Sequence, residues 1–217
     1  MYEIPHKPVI CAVVPAGMAV YYFGGSFVGR AAVLIDLGYF GKVLKFCFGE
    51  PRINYEKFSD VICEGRERLR TYIYDCMPYQ SSPPTSEERD RFGAHDRFMS
   101  MLKRLNRFEV RLGKIFKNPR TGEFYQKRVD VLFSVDLVRM SWDSQIDTAV
   151  IVTGDSDLVP AIQAAKDAGV LTILYYRDCK DESGKWVARA HDELRDGCDE
   201  RRLLDETLID SVLLDNK

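Results

Sequence analysis

Residues Asp147–Pro160 read DTAVIVTGDSDLVP, and this stretch decides the fold. Ala149–Val152 is an unbroken apolar run rich in β-branched side chains. That is the pattern of a strand buried on both faces of a parallel sheet. Gly154 lets the chain turn sharply. Asp155, Ser156 and Asp157 follow at once, and Leu158–Ala168 reads as a helix. Strand, turn and helix in that order put the acids at the carboxyl end of a strand, where open α/β sheets bind ligands. Helix capping, for which Asp and Ser are preferred, accounts for one acid. It accounts less well for two, because neighbouring carboxylates repel unless a proton or cation lies between them.

The same pattern recurs outward from this stretch. Ala31–Asp36, AAVLID, is a second buried-strand run ending in a carboxylate, and Leu37–Phe48 reads as a loop or short helix on the same edge. Asn54–Arg70 carries Tyr55, Phe58, Ile62 and Leu69 at helical spacing. Thr71–Asp75, TYIYD, reads as a strand, and Pro78, Pro83 and Pro84 mark a loop. Ser86 followed by two glutamates opens a helix to about Leu105. Phe108–Lys117 reads as a strand, Asn118–Gly122 as a turn and Val129–Trp142 as a helix. A strand over Val170–Tyr176, a polar loop over Lys180–Gly184 and a helix over Trp186–Arg195 follow. Arg201–Leu204 then reads as a short edge strand and Thr207–Leu214 as a last helix. Strands alternating with helices predict an α/β three-layer fold, a mostly parallel central sheet with helices on both faces. In that architecture strand carboxyl ends and helix N-termini share one edge.

With 217 residues the chain fits one domain. The expected boundaries are an N-terminal extension over 1–29, the α/β domain over 30–208 and a tail over 209–217. Pro8–Gly29 contains no charged residue. A membrane span there is disfavoured by Pro15, Gly17, Gly24 and Gly25. A signal peptide is supported only by Lys7. The favoured reading is an extension ahead of the domain. A net charge of −2 argues against a wholly basic nucleic-acid binder but not against a local basic patch. The six cysteines are scattered without CxxC or Cys/His metal spacing, which speaks against zinc and for free thiols in a reducing cytoplasm. No GxGxxG or P-loop supports a nucleotide cofactor, and no nucleophile–base pair supports covalent catalysis.

The shared edge turns scattered acids into a group. Asp36 ends one strand, Asp155 and Asp157 follow another, and Asp130 opens the helix over Val129–Trp142. Val131, Val135, Val138 and Trp142 read as that helix's apolar stripe. Asp136 lies six residues beyond Asp130, about 9 Å farther from the edge, and ranks second. Taken singly, each acid reads as a cap or turn former. Together, without Cys or His, they suit a hard cation, Mg²⁺ or Mn²⁺, which retains several waters. Such an ion activates water and stabilises charge building on a phosphodiester.

Three segments, AAVLIDLGYF, KRVDVLFSVDLVRM and TAVIVTGDSDLVPAIQAAKDAG, together resemble the NYN family in its LabA-like branch, within the PIN-like nucleases. The resemblance runs from about Arg30 to Leu208. It implies a PIN-like α/β fold and an Mg²⁺- or Mn²⁺-dependent RNA-cleaving site. The catalytic and metal-binding acids it implies are Asp36, Asp130, Asp155 and Asp157, and Asp136 falls on an acid that recurs in the branch. Many relatives carry Gly and Asn just after the first acid, where this chain has Leu37, Gly38 and Tyr39. That departure removes an amide available to substrate or water.

Between Arg97 and Arg128 the chain is strongly basic, with Phe108, Phe116, Phe124 and Tyr125 interleaved. Positive charge tracks a phosphate backbone and aromatics stack unpaired bases. Arg111, Lys114, Lys127, Arg128 and Ser156 are the candidate RNA contacts, with single-stranded RNA as partner. The bland reading of this stretch is a solvated face with its Phe side chains in the core. The acidic segment after Asp178 is not expected to touch RNA. A metal-dependent ribonuclease is the first functional reading, and a non-catalytic RNA-binding regulator with the same fold is the second. A phosphatase is a weaker third. No membrane partner is expected, and homo-oligomerisation is left open.

Overall fold

The computed structural model describes residues 29–117, 120–122 and 124–214. Its centre is β1 (Arg30–Asp36), whose Ala31–Ile35 are wholly buried, as the apolar run predicts. There follow α1 (Leu37–Phe48), α2 (Tyr55–Ile62), β2 (Glu67–Cys76), α3 (Ser86–Leu102), β3 (Phe108–Lys117) and β4 (Phe124–Lys127). Next come α4 (Val129–Trp142), β5 (Thr148–Val152), a 3₁₀ turn (Ser156–Leu158), α5 (Val159–Asp167) and β6 (Leu171–Tyr176). The chain closes with β7 (Cys179–Lys180), β8 (Trp186–Ala188), α6 (Asp192–Gly197), β9 (Glu200–Leu203) and α7 (Glu206–Ser211).

Seven strands form one sheet in the order β4-β3-β2-β1-β5-β6-β9. All pairs are parallel except β3 with β4. β1 pairs with β2 on one side and β5 on the other, so the strand order reverses at β1–β5. Alternation along β1 supplies two cores. Val33 and Ile35 pack with Phe40, Phe58, Ile62 and Ile209 on one face. Ala32 and Leu34 pack with Phe133, Leu137, Met140 and Ile162 on the other. Both faces of the sheet are thus covered, which is the three-layer α/β fold expected.

Local departures from the sequence reading have identifiable causes. Leu37–Phe48 is a full helix, because Asp36 caps it at once and Gly49 ends it in the left-handed region (φ 71°). The helical spacing over Asn54–Arg70 breaks at Ile62. Gly65 (φ 81°) turns the chain, and pairing with β1 makes Glu67–Arg70 strand. α3 stops at Leu102, short of Leu105. Lys180–Gly184 is a loop except for Lys180, which ends β7, and Trp186–Arg195 is not one helix. Lys180 pairs with Trp186 across a turn to form the β7–β8 hairpin, and α6 begins only at Asp192. On α4 the apolar stripe is misassigned: Val131, Val135 and Trp142 are exposed, and Val129, Phe133, Leu137 and Met140 face the sheet. Both sets recur at helical spacing, so periodicity alone did not choose between them.

Cys47 on α1 and Cys179 on β7 are joined in a disulfide across 132 residues of sequence, with Cα atoms 5.8 Å apart. The expectation of free thiols holds for Cys63, Cys76 and Cys198, all buried, but not for this pair. The thiol argument for a reducing compartment is weakened accordingly. Among the described residues, no helix is long and apolar enough to cross a membrane. The extension over 1–28, and the turn residues 118 and 119, lie outside the described residues.

Candidate active site

The carboxyl ends of β1 and β5 meet at the reversal of strand order, the position where doubly wound sheets bind ligands. Asp36 is the last residue of β1 and the N-cap of α1, its Oδ1 accepting from the Tyr39 N–H at 3.1 Å. Its Oδ2 accepts from the Thr153 hydroxyl at 3.2 Å, and the same Thr153 oxygen accepts from the Asp155 N–H at 3.2 Å. One buried hydroxyl therefore fixes both acids relative to each other. Asp155 in turn accepts from the Asp157 N–H at 2.9 Å, which winds the 3₁₀ turn. Gly154 is required by close approach. A Cβ there would lie 2.4 Å from the Arg189 carbonyl oxygen and 2.6 Å from the Tyr39 ring.

Charge accumulates around these groups. Burial, opposed by the two hydrogen bonds and aided by Asp155 and Asp75, raises the Asp36 carboxyl to about 6. Burial, then the charges of Asp155 and Asp157, holds Asp130 above its ordinary value, which places the three carboxylates close enough to repel one another. A proton or a cation relieves the same repulsion. Among the described residues, no three His, Cys, Asp or Glu side chains are arranged to enclose a metal. An oxygen-only, mutually repelling set of this kind fits a hydrated Mg²⁺ or Mn²⁺ held by one or two carboxylates and substrate phosphate. It does not fit zinc.

The Asp36 shift has a consequence for stability. Because its folded value lies above that of an unfolded Asp, the folded state keeps a proton between about pH 4 and 6 that the unfolded chain has released. Stability from this group is therefore present at low pH and lost as pH rises through 6. The two values correspond to a loss of up to about 3 kcal/mol. In chelator, urea melts of Asp36→Asn and the parent are expected to diverge between pH 4 and 6, the variant becoming the more stable, and to run parallel above pH 6. Curves parallel throughout would refute an ionisable buried Asp36.

The other candidates divide. Asp136 is buried in the middle of α4, where Tyr74 Oη donates to it at 3.2 Å and Arg111 Nε at 3.0 Å. Arg139 lies 3.6 Å from its other oxygen. Arg111 also pairs with Glu109 and lies over the Tyr72 ring, so its guanidinium is engaged within the sheet. Lys114 is exposed on the part of β3 that runs past the end of β2, whose last partner is Gly113. There it pairs in register with Lys127 of β4, whose side chain lies outside the described residues. Arg128 is exposed in the left-handed region (φ 80°) just before α4, and Ser156 is half-buried in the 3₁₀ turn.

Three participants were missed by sequence reasoning. Asp75 stands near the carboxyl end of β2, bears on Asp36 electrostatically, and lies 3.1 Å from His95 Nε2. Its signal was visible, since TYIYD ends in an acid as AAVLID does. Thr153 gave no signal of its own. Tyr39 follows the Asp36 cap in the first turn of α1. Its hydroxyl donates to the Arg177 carbonyl at 2.8 Å and accepts from the Arg177 N–H at 3.0 Å, clamping the end of β6 to the site.

Comparison with known proteins bears on the fold and the family. A Vibrio parahaemolyticus protein of unknown function, VPA0982, is similar in structure. The match covers 88% of this chain and 100% of that one at 17% identity, with a TM-score of 0.58. That likeness bears on the fold alone. A structure from Parabacteroides merdae aligns over 72% of this chain and 26% of that one at 12% identity, and its TM-score of 0.26 carries no argument. No curated protein matches the chain. The family model for the NYN domain matches residues 30–201, the span that contains every strand of the sheet except the end of β9 and every acid described above, and the chain belongs to the NYN domain family.

Proposed function

We propose that this chain, in the LabA-like branch of its family, is a metal-dependent ribonuclease acting on single-stranded RNA. NYN domains are generally ribonucleases with a PIN-like fold. The single observation that carries the reading is the set of acids at the switch point, with Asp36 and Asp155 tied through Thr153 and Asp130 within reach of the Asp155 charge. One or two of Asp36, Asp130 and Asp155 would hold Mg²⁺ or Mn²⁺ together with substrate phosphate, and the remaining acids, Asp157 among them, would act through water. When bound, the cation supplies an activated water and a counter-charge for the phosphodiester. The chain's own residues orient the groups: Thr153 aims Asp36, the Tyr39 N–H holds its second oxygen, and Gly154 lets the loop carrying Asp155 pack against Arg189 and Tyr39. Lys114 and Lys127, on the hairpin that overhangs the same edge, and Arg128 beside them would meet the backbone phosphates. Arg111 would act only indirectly, through Asp136.

The second reading, an RNA-binding regulator without catalysis, draws on Tyr39, whose side chain clamps the site and offers no amide to a substrate. End-labelled single-stranded RNA incubated with Mn²⁺, with Mg²⁺ or with chelator separates the two. Shortened products with either cation and none with chelator are expected. RNA that is bound but stays intact under all three conditions would leave the regulator as the function.

A further inference from the structure

The β7–β8 hairpin forms one wall of the acidic cleft. Val187, Ala188 and Arg189 line, together with Asp36 and Asp155, a space of about 350 Å³. The hairpin is fixed there three times over. The disulfide from Cys179 ties it to α1, and the Arg189 carbonyl packs on Gly154. At its base the Ala190 N–H donates to Asp178, which is ion-paired with Arg195.

Two of its three acids are engaged in its own structure, and the third, Glu182, is exposed in the turn. Asp178 is held by Arg195, and Asp181 accepts from the Ser183 N–H, the Ser183 hydroxyl and the Lys185 N–H, closing the turn. Its cations are presented outward around an aromatic ring. Trp186 is 46% exposed, with Lys180 Nζ 4.4 Å and Arg189 Cζ 5.4 Å from its ring centroid. A large planar side chain next to Arg189, which lines the acidic cleft, with two cations beside its ring, matches one chemistry. Unpaired bases stack on aromatics while the phosphates between them meet Lys and Arg.

We propose that Trp186 is a base-stacking subsite for the nucleotide next to the scissile phosphate, with Lys180 and Arg189 meeting the adjoining phosphates. This rests on the ribonuclease reading above and adds the residue that selects single-stranded substrate. A base arriving on the ring takes the place of one cation, and the displaced cation remains beside the phosphate. The start of the segment after Asp178, acidic in sequence, thereby becomes part of the RNA path, because Asp178 and Asp181 are engaged locally while Lys180 and Arg189 gather at Trp186.

The test is RNA binding by the full chain in chelator, where cleavage is stopped, followed by cleavage in Mn²⁺. Trp186→Ala is expected to weaken binding of a single-stranded oligouridylate by roughly 10- to 100-fold. Trp186→Phe should retain most of the affinity. Trp142→Ala, which removes an exposed tryptophan on α4, should match the parent. Abasic RNA removes the base and keeps the phosphates, so the parent should lose affinity for it and Trp186→Ala should not lose more. A parent that cleaves RNA while Trp186→Ala binds it as tightly overturns the subsite alone. Equal affinity of the parent for abasic and normal RNA does the same without relying on any variant. A parent that neither binds nor cleaves overturns the ribonuclease reading and the subsite with it.

Discussion

Asp155→Asn is expected to abolish RNA cleavage while leaving the metal-free protein at least as stable as the parent. Asp155 faces the crowding directly: it raises the proton affinity of both Asp36 and Asp130. An amide of the same shape removes one negative charge from that group. It still accepts from the Asp157 N–H, so the 3₁₀ turn keeps its closing bond. Sites tuned for function are commonly relieved by such a change. A neutral amide is, however, a poorer ligand for a hard cation. Removing a residue that only orients a ligand costs 10- to 100-fold, so losing a ligand should cost at least about 100-fold in cleavage. Thermal melting with and without Mn²⁺ is the check on the stability half. The parent should be raised by Mn²⁺ and the variant much less. A variant that melts far below the parent without metal, and rises with Mn²⁺ as the parent does, would make Asp155 a structural cap.

Gly154→Ala should be the most damaging single-methyl change in the molecule for stability. The added carbon would sit 2.4 Å from the Arg189 carbonyl oxygen and 2.6 and 2.7 Å from two carbons of the Tyr39 ring. Neither neighbour yields easily. The Tyr39 hydroxyl is held on both sides by the Arg177 backbone, and the Arg189 segment is held by the pairing of Ala188 with Cys179 and by Asp178. The loop itself must move, carrying Asp155 away from Thr153. Overpacking of this severity costs about 3 kcal/mol or more. In a domain of this size that is a fall of roughly 10 °C in melting temperature. Cleavage should fall with it even at temperatures where the variant remains folded. A melting temperature within about 2 °C of the parent, with parental cleavage, would show that the loop is not packed as described.

How much of this was legible in the sequence varies with the physics of each element. The runs AAVLID and TAVIVTGDSD were readable because burial on both faces leaves a continuous apolar run, and because parallel topology sends strand ends to one edge. From those two facts Asp36, Asp130, Asp155 and Asp157 were placed together. The facing of α4 was not readable, since Val131, Val135 and Trp142 mimic a buried stripe while Phe133, Leu137 and Met140 occupy the real one. Asp136 was ranked by its distance along the helix, but its partners Tyr74 and Arg111 come from β2 and β3 and only the fold reveals them. The β7–β8 hairpin escaped because its strands are two and three residues long, too short for any period. The Cys47–Cys179 bond joins residues 132 apart, and nothing in the spacing marks it.

The central claim is that the linked acids at the switch point cut RNA with the help of a divalent cation. Asp36 tests it most directly, because its amide replacement keeps the helix cap and the Thr153 contact while removing a negative charge. The measurement is the single-turnover rate of cleavage of a labelled single-stranded RNA in Mn²⁺, for the parent and for Asp36→Asn, with melting recorded on the same samples. The account predicts measurable cleavage by the parent that chelator stops, and a variant at least about 100-fold slower yet no less stable. Cleavage by Asp36→Asn at the parental rate, or parental cleavage that persists in chelator, would contradict it.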